Sequence, residues 1–407
     1  MRILQLHNRQ GSGGATGGHG REVGALEVMA HEAHMLAAAG HDIEQFTLPA
    51  AEDMGLGSAR LGLKAVWNAE AYRQVSERVK RFGPDVVHVH TPFPVMSPAV
   101  FQAANRLDVA TVTTVHGYRY SCIAGTCFRN GGLCQDCIGK RLKWPGLWHR
   151  CYHDSVAASG ALTLSLALHR RTLHREVDRF IALTSFSKHL LVRDGIPAHK
   201  IVVKPNSVPD PGTDIEEVTS KNRYVAFVGR LTAIKGIRTL LAAWKHVPQG
   251  SLELHIAGDG PLRPMVEQHC RDDASISYLG WLDESGVYDL MAKAECVVVP
   301  SEWYEGGLPL VLLRSFAVGT PVIVSNLENL ADGVVHGHTG LSFDTGDVLS
   351  LAHALSQVAH EPASFRRMRL NAREAYLQHY SPDVNLARIE SIYTQVLIDR
   401  ASGRPER

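Results

Sequence analysis

The sequence has almost no excess of charge: 42 Lys and Arg stand against 41 Asp and Glu, a formal net charge of +1. That balance excludes a chain-wide basic field for nucleic acid as well as a large acidic surface, so any polyanion contact must be local. A long apolar run is missing too. The longest, Val156–Leu168, falls short of the roughly 18–20 residues of a membrane span and contains Ser, Gly and Thr, so no transmembrane helix is expected. The opening MRILQLHNRQ lacks the basic-then-apolar layout of a secretory signal, and a cytoplasmic location is the expectation. Short repeats and low-complexity tracts are absent, and 45% hydrophobic with 20% charged residues is unlike a disordered chain.

What is present is enough for two domains, since 407 residues are two to three times the usual ~100–200 of one. Ile3–Leu6, Ile43–Leu48, Asp85–His90, Thr111–His116 and Phe180–Leu183 read as short buried strands. After the first, Val23, Leu26, Ala30, Ala33 and Leu36 recur at helical steps and Gly40 supplies a stop. Val225–Val228, Leu252–Ala257, Ile276–Leu279, Cys296–Val299 and Pro321–Val324 repeat the rhythm, with helices at Ile237–Trp244 and Pro264–Cys270. This alternation predicts an α/β protein with two parallel-sheet domains, joined at the Pro- and turn-rich segment 206–213.

Ligands of such sheets bind beyond the carboxyl ends of the strands, so those positions are the candidates. A glycine-rich stretch, 11–20, follows the first strand; Gly17, Gly18 and Gly24 either admit a sugar or phosphate close to the backbone or simply form a flexible loop. Its spacing fits a dinucleotide fingerprint poorly and no acidic residue ends the second strand, which disfavours a dehydrogenase. In the second half, Gly229-Arg230 and Lys235-Gly236 place a forked donor and a point charge at the opening of a helix, a layout for clamping a diphosphate. The plainer reading is two solvated cations. Gly258-Asp-Gly-Pro261 ends the next strand in a tight turn, and Pro300-Ser-Glu-Trp-Tyr-Glu-Gly-Gly-Leu308 follows another.

These motifs resemble those of the retaining, nucleotide-sugar-dependent glycosyltransferases of family 4. Gly-Arg-Leu…Lys-Gly at 229–236, Gly-Asp-Gly-Pro at 258–261, the Pro-Ser…Glu-Gly…Gly-Thr-Pro-Val run at 300–322 and Asp-Gly-Val-Val-His-Gly-His-Thr-Gly at 332–340 occur in the family's order. Asp85-Val-Val-His-Val-His90 and Thr114-Val-His-Gly-Tyr118 match its first domain. The resemblance implies a GT-B fold, two facing Rossmann-like domains with a cleft between them. Its N-terminal acceptor-side domain would span 1–208, its nucleotide-sugar domain 209–380, and a helix in 381–407 would return to the first domain. It further implies that Arg230 and Lys235 bind the donor diphosphate without a catalytic metal. Glu305 would hold donor-sugar hydroxyls, with Gly229, Gly258, Gly306, Gly307 and Leu308 around the donor. His116 would touch the transferred sugar, a packed core histidine being the alternative, and His90 would lie on the acceptor side. The implied reaction moves a hexosyl unit to a hydroxyl of a glycan or lipid-linked acceptor, in glycan, polysaccharide or glycolipid synthesis. A catalytically degenerate sugar-nucleotide-binding subunit is the competing reading, because the family's second Glu is missing: Arg314 stands at its place, and Leu313 at the alternative spacing.

Two features lie beyond that pattern. Cys122-x4-Cys127-x6-Cys134-x2-Cys137 falls in a glycine-rich loop, 118–151, with His149 and Cys151 nearby. Such a set can hold a structural zinc, or remain free thiols or a labile disulfide. Lys140, Arg141, Lys143, Trp144, Trp148, His149 and Arg150, followed by Arg170, Arg171 and Arg175, suit either peripheral contact with the anionic inner face of a membrane or a solvated basic surface.

Overall fold

The computed structural model describes residues 1–9, 24–49, 52–55, 58–212 and 223–403. Its strands are β1 (Arg2–Asn8), β2 (Asp42–Leu48), β3 (Val86–Thr91), β4 (Ala110–Val115), β5 (Phe128–Arg129), β6 (Gly132–Leu133), β7 (Arg179–Ala182), β8 (Ile201–Val203), β9 (Tyr224–Val228), β10 (Glu253–Ala257), β11 (Ile276–Gly280), β12 (Cys296–Val299), β13 (Val322–Ser325) and β14 (Gly340–Phe343). They form one six-stranded parallel sheet in the order β2-β1-β3-β4-β7-β8 and a second in the order β11-β10-β9-β12-β13-β14, while β5 and β6 make a separate antiparallel hairpin. The near-continuous apolar runs are explained by burial on both faces: every residue of β4 and of β12 is buried.

All ten strands expected from the sequence are present within one or two residues. β5, β6, β8 and β14 are not expected from the sequence. β8 is three residues long and runs straight into the interdomain segment, and β14 opens on glycine, so neither gives a periodic signal. The first helix is real, Ala25–Ala38, but its phase differs: Val28, Met29, Glu32, Met35 and Leu36 are the buried stripe, and Ala30 is exposed. A carboxylate on that buried stripe is what shifts the apparent periodicity.

The last helix, Pro382–Ala401, lays Ile389, Tyr393 and Val396 against Ile3, Val86, Val112 and Ile181 of the first sheet. Each of those three side chains is 1% exposed or less; burial on that scale contributes about 1.5–3 kcal/mol apiece. The segment between the sheets carries backbone carbonyls with no ladder partner, and side chains supply the missing donors. Asn385 Nδ2 donates to Pro205 O (2.7 Å), Tyr376 Oη to Val208 O (3.0 Å) and Tyr288 Oη to Pro209 O (3.1 Å). Arg373 holds both oxygens of Asp210 at 3.0 Å.

Candidate active site

In the second sheet the chain runs outward from β9 through β10 to β11, then jumps back to β12, so the topological switch lies between β9 and β12. A crevice at the carboxyl ends of those two strands is the expected ligand site. The loop after β9 contains Gly229, exposed Arg230 and a 3₁₀ turn ending at Lys235, and the loop after β12 contains Ser301 and Glu305. The structure joins them: Lys235 Nζ donates to Glu305 Oε1 at 2.5 Å, and Ser301 Oγ donates to the same oxygen at 2.8 Å. Gly236 makes this possible. It has φ +71, and a Cβ there would lie 1.7 Å from Pro300 O, so only glycine lets the two loops meet. Gly229 and Gly258 fix the neighbouring turn through N–H bonds to Ala257 O (3.0 Å) and Gly280 O (2.7 Å).

Beyond Glu305 the loop runs Gly306-Gly307-Leu308 into helix Leu310–Ala317. The N–H groups of these three residues have no protein acceptor among the described residues. This loop also touches the other domain. A Cβ on Gly306 would lie 1.9 Å from the His116 carbonyl oxygen, and one on Gly307 would lie 2.8 Å from Leu183 Cβ. Tyr118 Oη donates to Glu305 O (2.5 Å), and Asn329 Nδ2 donates to the same carbonyl (3.1 Å). The strand ends carrying His116 and Glu305 therefore face each other.

His116 Nε2 lies 3.0 Å from His90 Nδ1, with the rings stacked 5.2 Å apart. His90 Nε2 is 3.5 Å from Glu32 Oε1, which also meets His88 Nδ1 (3.2 Å) and Gln5 Nε2 (3.3 Å), while Glu32 Oε2 meets Lys204 Nζ at 3.2 Å. Burial alone would raise the Glu32 carboxyl, but Lys204 and His88 overcome it and hold it well below the ordinary range. With Glu32 ionised, His90 carries its proton on Nε2 facing the carboxylate. Its Nδ1 then accepts from His116 Nε2–H, leaving His116 Nδ1 as that ring's acceptor. Among the described residues, Glu32, His88 and His90 are the one group with three ligand atoms within 4.8 Å of each other. A metal does not suit them: Lys204 already balances the carboxylate, and His88 is bonded on both sides, to Tyr393 Oη and Thr114 Oγ1, each at 2.8 Å. Glu32 and Lys204 escaped the sequence reading, and the signal was there in a charge on the apolar stripe of the first helix.

Acid should unravel this cluster. Burial holds His90 and its neighbour His7, on β1, down to about 4 and His116 well below its usual 6.5. The unfolded chain takes up protons below 6.5 that the native histidines refuse, so stability is present above that pH and is lost as pH falls toward 4. Glu32 adds a loss in the same direction below its unfolded value of 4.5. A group displaced from 6.5 to 4 contributes on the order of 3 kcal/mol. Calorimetry from pH 7 to 4 should show a steep fall in Tm; a flat profile would contradict this reading of the cluster.

Arg314 is held in an ion pair. Its guanidinium binds Glu27 of the first helix and lies 3.6 Å from Glu284, joining the two domains. Glu302, on the loop after β12, accepts from Thr239 Oγ1 at 2.5 Å. Gly24 precedes the first helix with φ +143, and Gly17 and Gly18 lie outside the described residues. No helix among the described residues is long and apolar enough to cross a membrane.

Two parallel-sheet α/β domains whose strand ends face each other make up a GT-B fold. Residues 23–207 match the glycosyl transferase 4-like domain and residues 222–361 match the glycosyl transferases group 1. The chain belongs to that family and is a glycosyltransferase. It is similar to the glycogen synthase of Mycobacterium tuberculosis, 26% identical over 376 residues that span 90% of this chain and 78% of that one. In fold it resembles sucrose-phosphate synthase from Thermosynechococcus elongatus (TM-score 0.69, 19% identity, 98% of this chain and 100% of that). It also resembles Anabaena HepE, solved with UDP-glucose (TM-score 0.64, 17% identity, 97% of this chain and 100% of that).

Proposed function

We propose that this glycosyltransferase moves a hexosyl unit from a nucleoside-diphosphate sugar to a hydroxyl acceptor with retention at the anomeric carbon, in glycan, polysaccharide or glycolipid synthesis. The observation that carries this reading is the convergence of Lys235, Glu305 and the three uncommitted N–H groups at 306–308 at the switch point, facing His116. A nucleoside diphosphate suits these groups: its phosphates would accept from Lys235, Arg230 and the loop amides, stabilising the charge that develops on the leaving group. Sugar hydroxyls would then satisfy the Glu305 carboxylate as Lys235 turns to phosphate, and His116 Nδ1 would accept from a hydroxyl on the other side. Attack of the acceptor hydroxyl from the face that the diphosphate leaves accounts for retention without a carboxylate nucleophile. Arg314, donor-only and bound to Glu27, cannot accept from ribose hydroxyls, so nucleotide recognition rests on the phosphate side. Incubation with a panel of sugar nucleotides and acceptors, read as nucleotide release, tests the proposal.

A lipid-linked acceptor at an anionic membrane is the part of this proposal supported by the surface. Helix Ser58–Val66 and helix Trp144–Trp148 flank helix Val156–Leu168, with Gly62 against Ala161 and Gly160 against Leu147. Around these contacts Leu63, Trp144, Trp148, Leu164 and Leu168 are all at least half exposed, Trp148 at 77%. Lys140, Arg141, Arg150 and Arg171 are exposed beside them. Lys143 is not part of that face: it is buried against Asp194 at 2.5 Å. Tryptophans with a cationic rim suit the headgroup region of an anionic bilayer. Co-sedimentation with phosphatidylglycerol-containing vesicles is expected, weakened by salt and by Trp144→Ser with Trp148→Ser. Equal recovery with pure phosphatidylcholine vesicles, or no binding at low salt, would refute it.

A further inference from the structure

Five of the seven cysteines converge in the loop after His116. The hairpin β5–β6 turns at Asn130-Gly131, with φ +51 and +79, the Asn-Gly signature of a type I′ turn. Its register brings Cys127 opposite Cys134, whose N–H donates to Cys127 O at 2.8 Å. The Cys134-x2-Cys137 turn then folds back toward helix Trp144–Trp148 and Cys151. Between these elements lies a cavity of about 10 Å³, and its wall includes Cys122, Cys134, Cys137 and Cys151. Cys127 is fully buried and close to Cys122 but does not line that cavity.

We propose that Cys122, Cys134, Cys137 and Cys151 bind one structural zinc ion, with Cys127 as a buried neighbour and not a ligand. The volume is about that of one small sphere, too little for an organic ligand. The four cysteines line this space, but no three of their sulfurs lie within 4.8 Å of one another, so zinc would have to draw the loop together, to about 2.3 Å from each sulfur, and release the thiol protons. A further feature fits thiolates in particular. Zinc with four thiolates carries a net charge of about −2, and two guanidiniums lie near it, Arg129 on the cavity wall and Arg119, which donates to Ile123 O next to Cys122.

The site would act on the reaction at a distance. Gln135, inside the Cys134–Cys137 turn, donates to Tyr304 Oη at 3.4 Å, and Tyr118, four residues before Cys122, donates to Glu305 O. Zinc thus anchors the loop that braces the Glu305 segment from the opposite domain. The proposal does not rest on the identity of the donor, and its test reads metal, not turnover.

The full chain, produced under reducing and zinc-replete conditions, should contain about one zinc. Cys137→Ser and Cys151→Ser should reduce it to background, and Cys127→Ser should leave it unchanged. Because a ligand variant can fail to fold, cobalt substitution of the wild-type chain gives a second reading, the thiolate-to-cobalt charge-transfer and intense d–d bands of a tetrahedral four-thiolate centre. Absence of metal from the wild-type chain overturns the proposal, as does a chain mass lowered by disulfide formation. Zinc lost in Cys127→Ser but kept in Cys151→Ser would overturn this ligand set.

Discussion

Replacing Lys235 with Ala is expected to lower kcat/KM for the preferred sugar nucleotide by about 30- to 1000-fold, the equivalent of roughly 2–4 kcal/mol of transition-state stabilisation. The ammonium stands at the opening of helix Ile237–Trp244, where its charge adds to the field of the backbone amides, and it is already in the crevice at 2.5 Å from Glu305. Arg230→Ala should fall in the same range. The effect belongs to charge and not to folding: Ser301 still donates to Glu305 when Lys235 is gone, and the Lys235 side chain is 26% exposed, so little stability is at stake. Steady-state nucleotide release with matched thermal melts checks this, and unchanged kinetics in both variants would remove the diphosphate clamp.

Gly306→Ala should be nearly as damaging although it removes no chemical group. The added methyl would sit 1.9 Å from the His116 carbonyl, a contact that must push the donor loop from the β4 end. Displacing groups by about 1 Å from a productive geometry costs on the order of 100-fold in rate. Each domain keeps its own sheet and core, so the melting curve should change far less than turnover. Turnover within a few-fold of wild type would mean that the contact between the domains plays no part in the reaction.

These two sites differ in how far they could be read from the sequence. Arg230, Lys235 and Glu305 are local: each follows a buried strand, in glycine-rich loops whose spacing survives without knowledge of the fold. The 2.5 Å bond between Lys235 and Glu305 joins residues 70 apart, and the parallel pairing of β9 with β12 brings their loops together. The link from Glu32 to His116 is still less legible, because it draws on helix Ala25–Ala38, β3, β4 and Lys204 at the domain seam. Arg314 shows the same limit. The resemblance puts it at the place of a ribose-holding Glu, and local spacing gives no hint of its partner Glu27, 287 residues away in the opposite domain. Among the cysteines, the sequence pattern groups Cys122, Cys127, Cys134 and Cys137 as near neighbours, and the fold adds Cys151 to the same cavity wall, which no local spacing could show.

The central claim is that the crevice between β9 and β12 takes a nucleoside-diphosphate sugar. Titration calorimetry of the wild-type chain and Lys235→Ala against a panel of sugar nucleotides and the corresponding free nucleosides tests it most directly. The account predicts that at least one sugar nucleotide binds, that its nucleoside binds far more weakly, and that Lys235→Ala loses most of the difference. Binding that is equal for nucleoside and nucleotide sugar, or untouched by the loss of Lys235, would contradict it.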